Sequence, residues 1–384
     1  MEDVKKAYLS QLYNQIADEL NISDTMTEKA MKSYNAVGTW LGDCEPGLDI
    51  KIMPQGSFNL GTVIKPLSDT DEYDIDLVCL LKNGSSLSEA DIKNFVGKRL
   101  KEHGKYKEML DEEGKRCWTL NYDEFHMDIL PSVPRSGIFI EPNSTQIKLT
   151  HKLEADVYIP KYSNPYKYHL WFEERMKTIL TSEKKNYAFR NQVEIDKVAD
   201  YKVKTPLQKA IQLLKRHRDI MFQEIDGEDA PISIIITTLA ALSYNNETNL
   251  YDAITNIIQK MPSYIQKEAS GQYTIKNPVM PEENFADKWN ENENKVVCFK
   301  KWINKAREDI INNPLSINGS VEVSEIMKNS FGKNITERAY NAIGERTKSE
   351  RENQKLYING LQGGITYEPT KVSKTIGGHT FFGE

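Results

Sequence analysis

Three aspartates define the chemistry open to this sequence. Asp74 and Asp76 stand one position apart in YDIDLVCLL, a run whose length and branched, apolar content predict a β-strand. Side chains two apart on a strand share a face, roughly 7 Å apart along the chain. The two carboxylates therefore point one way, and Tyr73, Ile75 and Leu77 the other. Asp128 repeats the theme in FHMDILP, with His126 and Leu130 on its own face and Met127 and Ile129 opposite. With those two strands as neighbours, three carboxylates converge on one side of a small sheet. Buried carboxylates are costly unless something neutralises them. Oxygen clusters of this kind suit Mg2+, and two such ions can clamp the attacking and leaving oxygens of a nucleotidyl transfer. A lone Asp-x-Asp strand is as well explained by a solvated edge. Here a third strand-borne Asp follows, and Gln55-Gly56-Ser57 precedes at a short interval.

That Gly-Ser pair is a turn by default. Ahead of this strand it gains a second use. Gly56 lets backbone approach a ligand closely, and Ser57 at a helix start can offer its hydroxyl and N–H to a phosphate.

The surrounding elements must position these groups. Residues 1–40 read as two helices broken near NISDT, with Ser23 and Asp24 as caps. MPQGSFNLGT reads as a strand end, a turn and a short helix, and 89–110 as polar helix. RCWTLNYDEFHMDILPSVP reads as a hairpin turning at 121–124, its second strand ending at Pro131. Residues 132–170, rich in Pro, Ser and Asn, read as a connecting loop region. Helical periods dominate beyond 170. TPLQKAIQLLKRHRDIMF has Thr205 as N-cap and Pro206 at the first helical position. APISIIITTLAALSY reads as a helix, although its β-branched run also suits a strand. The last fifty residues, with two Gly-Gly pairs, read as loosely structured. The expected class is α+β.

The set QGSFNLGT, DEYDIDLVCLL and FHMDILP resembles the polymerase-β-like nucleotidyltransferases. TPLQKAIQLLKRHRD, PISIIITTLAAL and NPVMPEENFADKW narrow the resemblance to the bacterial cGAS/DncV-like enzymes, the CD-NTases of CBASS anti-phage operons, nearest the clades labelled B or G. It covers roughly residues 20–310. It implies a catalytic lobe with N-terminal helices (1–200), a helical lobe (201–330), and a C-terminal extension with a flexible tail (331–384), the active site lying in the cleft between the lobes. Asp74 and Asp76 would hold two Mg2+ ions, with Mn2+ as an alternative. Asp128 would hold the ion that activates the attacking ribose hydroxyl. Gln55, Gly56 and Ser57 would meet the triphosphate, and Lys215 and Ser233 would hold phosphates from the helical lobe. Animal relatives carry an aromatic after that serine, whereas this chain has Ile234, so base stacking must come from elsewhere. The implied reaction joins nucleoside triphosphates, ATP and GTP foremost, into a purine-containing cyclic di- or trinucleotide of the cGAMP kind that activates an anti-phage effector. Two alternatives stay open: nucleotide transfer to RNA or a small acceptor, and an inactive scaffold of the same fold.

The bulk numbers agree. The 384 residues carry a net charge of −6, which argues against RNA or another polyanion as a stable partner; any phosphate site must be a local basic patch. Residues 201–220 are such a patch: six Lys or Arg against Asp219 alone, 6 − 1 = +5. This is either a solvated helix face or a phosphate-facing wall. Cys44, Cys79, Cys117 and Cys298 form no paired spacing, which excludes a zinc site or disulfide framework and fits the cytoplasm. No apolar run reaches membrane-spanning length. Trp289 and Trp302 read as helix core residues, and His217 as a surface or packing residue rather than a metal ligand. The tail VSKTIGGHTFFGE reads either as an end that docks Phe381 and Phe382 on the body or frays, or, as the resemblance implies, as a slim end that a ubiquitin-conjugation-like partner would join, through Glu384, to a target.

Overall fold

The computed structural model describes residues 2–43, 49–68, 72–154, 157–223, 227–359, 365–366 and 373–376. Two helices open the chain, α1 (Glu2–Leu20) and α2 (Asp24–Gly42). They part where the Ser23 hydroxyl accepts the Met26 N–H at 3.1 Å, an N-cap that lets the second helix start in a new direction. Strand β1 (Ile50–Gln55) runs directly into a single helical turn, α3 (Gly56–Asn59). Strand β2 (Tyr73–Leu81) leads to α4 (Glu89–Glu102) and α5 (Gly104–Met109), and then to the hairpin β3 (Trp118–Asn121) and β4 (Phe125–Pro134).

The hairpin turns at 122–124, close to the expected place. β4, however, continues past Pro131 to Pro134, because Ser132, Val133 and Pro134 pair with a strand not foreseen. That strand, β5 (Ile147–Glu154), and its partner β6 (Val157–Ser163) occupy much of the segment read as loop. The sheet order is β1-β2-β4-β5-β6, with β3 on β4. β2 and β4 are parallel and the other pairs antiparallel. One sheet face packs under α2 and α4 through Ile75, Leu77, Val96, Met127 and Ile129, all fully buried; each such side chain contributes about 1.5–3 kcal/mol over its exposed state. The alternate positions are the aspartates.

The long α6 (Pro165–Asn191) crosses to the helical half, which holds α7 (Pro206–Phe222), α8 (Ser233–Ser243), α9 (Leu250–Lys260), α10 (Asp287–Glu291), α11 (Asn294–Arg307), α12 (Asn313–Ser316), α13 (Ser320–Phe331) and α14 (Lys333–Glu352). Thr205 closes a full capping box with Gln208 at the start of α7. The segment of ambiguous type is the helix α8. Trp289, Trp302 and His217 are buried, as expected of packing residues. α1 and α6 share the core of this half: Leu9, Tyr13 and Ile16 pack with Leu214, Ile254 and Phe331. Where α11 gives way to a π-helical turn at Glu308–Asn312, the Tyr13 hydroxyl donates to the Ile310 carbonyl at 2.6 Å.

The last fifty residues are not uniformly loose. α14 extends to Glu352 and packs on α1; its long polar face hides a thin apolar stripe of Ile335 and Ala339. Glu384 and the glycine-rich tail from residue 377 lie outside the described residues, as does Cys44. Among the described residues Cys79, Cys117 and Cys298 form no disulfide. Among the described residues no helix is long and apolar enough to cross a membrane.

Candidate active site

The sheet register brings the expected carboxylates together. Gln55 on β1 stands opposite Asp76, Asp76 opposite Asp128, and Asp74 opposite His126. Asp76 and Asp128 are half-buried. Burial, then the charges of Asp128 and Asp74, push the Asp76 carboxyl from 3.8 up to about 7. Asp74 is also raised, by burial and by Asp128, yet its side chain is 75% exposed, so the charge conflict concentrates on Asp76. The Asp74 carboxylate leans towards His126 Nδ1 at 3.8 Å, and His126 Nε2 meets Glu72 at 2.5 Å.

Gly56 locks the turn against this cluster. Its φ is +62°, and a Cβ there would lie 2.2 Å from Asp76 Oδ2. No other residue fits, on conformation or on space. Ser57 follows in α3, and its carbonyl accepts the Thr62 N–H at 2.9 Å, closing the turn.

Among the described residues no three carboxylate, His or Cys side chains already form a metal cage, because Asp74 is turned outward. Donor chemistry and charge nevertheless fit a hard divalent cation: three carboxylates on one sheet face, with Asp76 raised by burial and by its two carboxylate neighbours.

The helical half contributes differently from expectation. All six cations of the basic run 201–220 are engaged within the protein, and Arg218 also lines a cleft. Lys202 pairs with Asp24, Lys209 with Asp18, and Lys204 donates to the Gly61 carbonyl. Lys215 and Arg216 are buried and turn their donors on the segment after the Gly-Ser turn. Lys215 Nζ meets the Thr62 carbonyl at 3.1 Å and its hydroxyl at 3.3 Å; burial brings its pKa down to about 7. Ser233 opens α8 and accepts from Arg218 Nη1 at 3.1 Å. Arg218, Ser233, Ile232 and Glu72 line a cleft of about 570 Å³ beside the acidic rim. A larger cavity of about 850 Å³ lies behind the turn, lined by Phe58, Leu60 and Gly61; none of the three aspartates lines either space.

Two groups, Thr119 and Glu72, escaped the sequence reading, and Arg218 enters it only as part of the basic run. Thr119 stands opposite Asp128 and donates to its Oδ1 at 2.5 Å. Counting back across the hairpin would have found it. Glu72 holds His126, and Arg218 holds Ser233; neither contact has a spacing signature.

The comparisons fit this geometry. Residues 50–131 match the family model described as cyclic GMP-AMP synthase DncV-like, nucleotidyltransferase domain. A c-di-GMP synthase of Roseivirga ehrenbergii is 30% identical over 355 residues, covering 91% of this chain and 90% of that protein. The chain belongs to the bacterial cGAS/DncV-like nucleotidyltransferases. A second CD-NTase relative, the cyclic dinucleotide synthase CdnG of Bradyrhizobium diazoefficiens, is 24% identical, covering 86% and 82%. The structure of that CdnG in complex with GTP aligns with TM-score 0.69 at 20% identity, over 88% of this chain and 99% of that one. Vibrio cholerae DncV, solved with GTP and 5MTHFGLU2, aligns at 0.54 with 14% identity, over 88% and 89%. Fold class and enzyme class agree with expectation: this CD-NTase is an α+β nucleotidyltransferase.

Proposed function

We propose that this CD-NTase condenses nucleoside triphosphates, GTP among them, into a cyclic dinucleotide. The observation that carries the reading is the wedge of Gly56 against Asp76, with Asp128 opposite: a ligand-approach turn abutting an acidic pair. The relatives named c-di-GMP synthase and CdnG, and the GTP in the CdnG structure, support guanine as a substrate base.

In this reading Gln55, Gly56 and Ser57 seat the triphosphate against backbone. Lys215 supports the turn from behind, and Ser233 with Arg218 meets phosphate at the cleft mouth. Asp74, Asp76 and Asp128 would hold two Mg2+ ions, which when bound offset triphosphate charge and stabilise the attacking and leaving oxygens. A ribose hydroxyl oxygen forms a bond to the α-phosphorus, the bond from that phosphorus to the bridging oxygen breaks, and pyrophosphate leaves. Asp128, with Oδ1 held by Thr119, keeps its other oxygen free to take the hydroxyl proton. A second round on the linear product closes the ring. The product then serves as the signal for an anti-phage effector in the cytoplasm. Glu384 is kept as the point of conjugation; deleting residues 379–384 should leave synthesis intact and abolish any higher-mass adduct in cells.

The test is incubation with all four NTPs and Mg2+, with products resolved by mass after phosphatase treatment. A phosphatase-resistant cyclic product containing guanine is expected, absent from the Asp76→Asn variant. Labelled nucleotide appearing only in added RNA, or no consumption of any NTP, would overturn the reading.

A further inference from the structure

The segment 60–66 joins the Gly-Ser turn to the cleft mouth. None of its residues belongs to a strand, so its carbonyls need other partners. They find them along one helix. Gln208 Nε2 donates to the Leu60 carbonyl at 3.0 Å and Lys204 Nζ to Gly61 at 2.8 Å. Lys215 reaches Thr62, and Gln212 Nε2 reaches Val63 at 2.6 Å. Arg216 Nη2 takes both Lys65, at 2.5 Å, and Pro66, at 3.0 Å. Gln208, Gln212 and Arg216 are four apart and therefore neighbour one another along one side of α7, with Lys204 just before its N-cap. Six carbonyls along seven residues are read by this ladder.

The contact is close and specific. Gly61 has φ +65°, and a Cβ there would lie 2.6 Å from Gln208 Nε2 and 2.9 Å from Lys204 Nζ. Gln212 Oε1 and Arg216 Nε are buried with no partner. These side chains leave an atom unsatisfied, at a cost, while their donors face the strap. The far side of the strap is held by α1, where Lys65 N donates to the Leu20 carbonyl at 2.8 Å. The near end couples directly to the site through the Thr62 N–H and the Ser57 carbonyl.

We infer that Gln208, Gln212 and Arg216 are positioning residues for nucleotide binding: α7 is a template that sets the backbone of 60–66 and, through Thr62, the placement of Ser57. The inference rests on the proposed role of the Gly-Ser turn in seating triphosphate. A turn that contacts the triphosphate equally before and during reaction changes KM rather than kcat when displaced.

The test compares Gln212→Met, which keeps length and loses donors, and Arg216→Met with Arg216→Lys. Each is measured for melting temperature, for KM and kcat with GTP, and for equilibrium binding of a non-hydrolysable GTP analogue with Mg2+. Gln212→Met and Arg216→Met should raise both KM and the dissociation constant roughly five- to twentyfold, with kcat within about twofold, and Arg216→Lys should restore most of the loss. Tyr13→Phe, which removes a buried hydrogen bond remote from the strap, is the matched control and should lower the melting temperature without changing affinity. Where Arg216→Met does not fold, Gln212→Met and Gln208→Met carry the test. Folded variants with wild-type KM, or an equal KM rise in Tyr13→Phe, overturn the inference. Failure of the wild type itself to bind the analogue would overturn the reading of the site, and the inference with it.

Discussion

Replacing Asp76 by Asn in the metal-free protein tests the charge conflict on which the site is built. In the folded chain the Asp76 carboxyl is raised to about 7 from an ordinary 3.8. Between those values the folded state binds more protons than the unfolded state, so stability falls as pH rises through this window. Above pH 7 the full cost applies, and below 3.8 none does. A gap of about three units at 1.36 kcal/mol each sets a ceiling of about 4 kcal/mol, and partial solvent access lowers the expectation to about 2–4 kcal/mol. Asn keeps the shape beside Gly56 and removes the charge. In EDTA at pH 8 the variant should therefore be more stable than wild type. For 384 residues at about 2.1 cal/mol/K each, the gain is roughly 3–5 °C in melting temperature. It should vanish by pH 4. Adding Mg2+ or Mn2+ with a GTP analogue should reverse the order, since only wild type keeps the full acidic set. The assay is differential scanning calorimetry across pH with and without metal. A variant no more stable at pH 8, a gap independent of pH, or a wild type indifferent to metal would each refute the reasoning.

Gly56→Ala should abolish cyclisation, by more than about a hundredfold, because left-handed backbone costs a Cβ about 1–2 kcal/mol and that Cβ meets the Asp76 carboxylate. Gly42→Ala, in a helix with open space around it, should be neutral or stabilising by up to about 1 kcal/mol; equal activity of the two would refute the wedge. Thr119→Val should lower kcat/KM roughly ten- to a hundredfold, the worth of a charge-assisted hydrogen bond of about 1.5–3 kcal/mol, with Thr119→Ser recovering it; an unchanged rate would show that Asp128 needs no such holder. Tyr13→Phe leaves the Ile310 carbonyl without its donor and should cost about 1–3 kcal/mol in denaturant titration, with turnover per folded molecule unchanged.

The acidic set was legible because alternation on a strand is a local rule: YDIDLVCLL and FHMDILP declare their faces without reference to anything else. Thr205 and Pro206 announced α7 in the same way. The hairpin β5–β6 was missed because Pro, Ser and Asn in 132–146 coloured the reading of 147–163, where Ile147 and Leu149 do alternate with polar residues. α14 was missed because its polar face outweighs Ile335 and Ala339. What α7 does was out of reach for a different reason. Its donors act on backbone carbonyls, and a carbonyl carries no residue identity for a pattern to find. Lys215, expected at a phosphate, and Arg216, one of the basic run, instead reach the strap, at the Thr62 carbonyl and hydroxyl and at the Lys65 and Pro66 carbonyls.

The hydrogen bond from Tyr13 to Ile310 spans 297 residues of sequence. A ribosome adding roughly 5–20 residues per second takes roughly 15–60 s to make that interval. For the first part of that interval α1 has been synthesised without α7 or α9 to bury its apolar face against, and α14 follows only after it. The sheet and its aspartates can assemble meanwhile, but the strap's template α7 and the cleft's far wall at Arg218 and Ser233 follow them in the chain. A chain interrupted between β4 and α7 would thus carry the acidic cluster without the two-sided cleft, so copies cut short there are silent by construction.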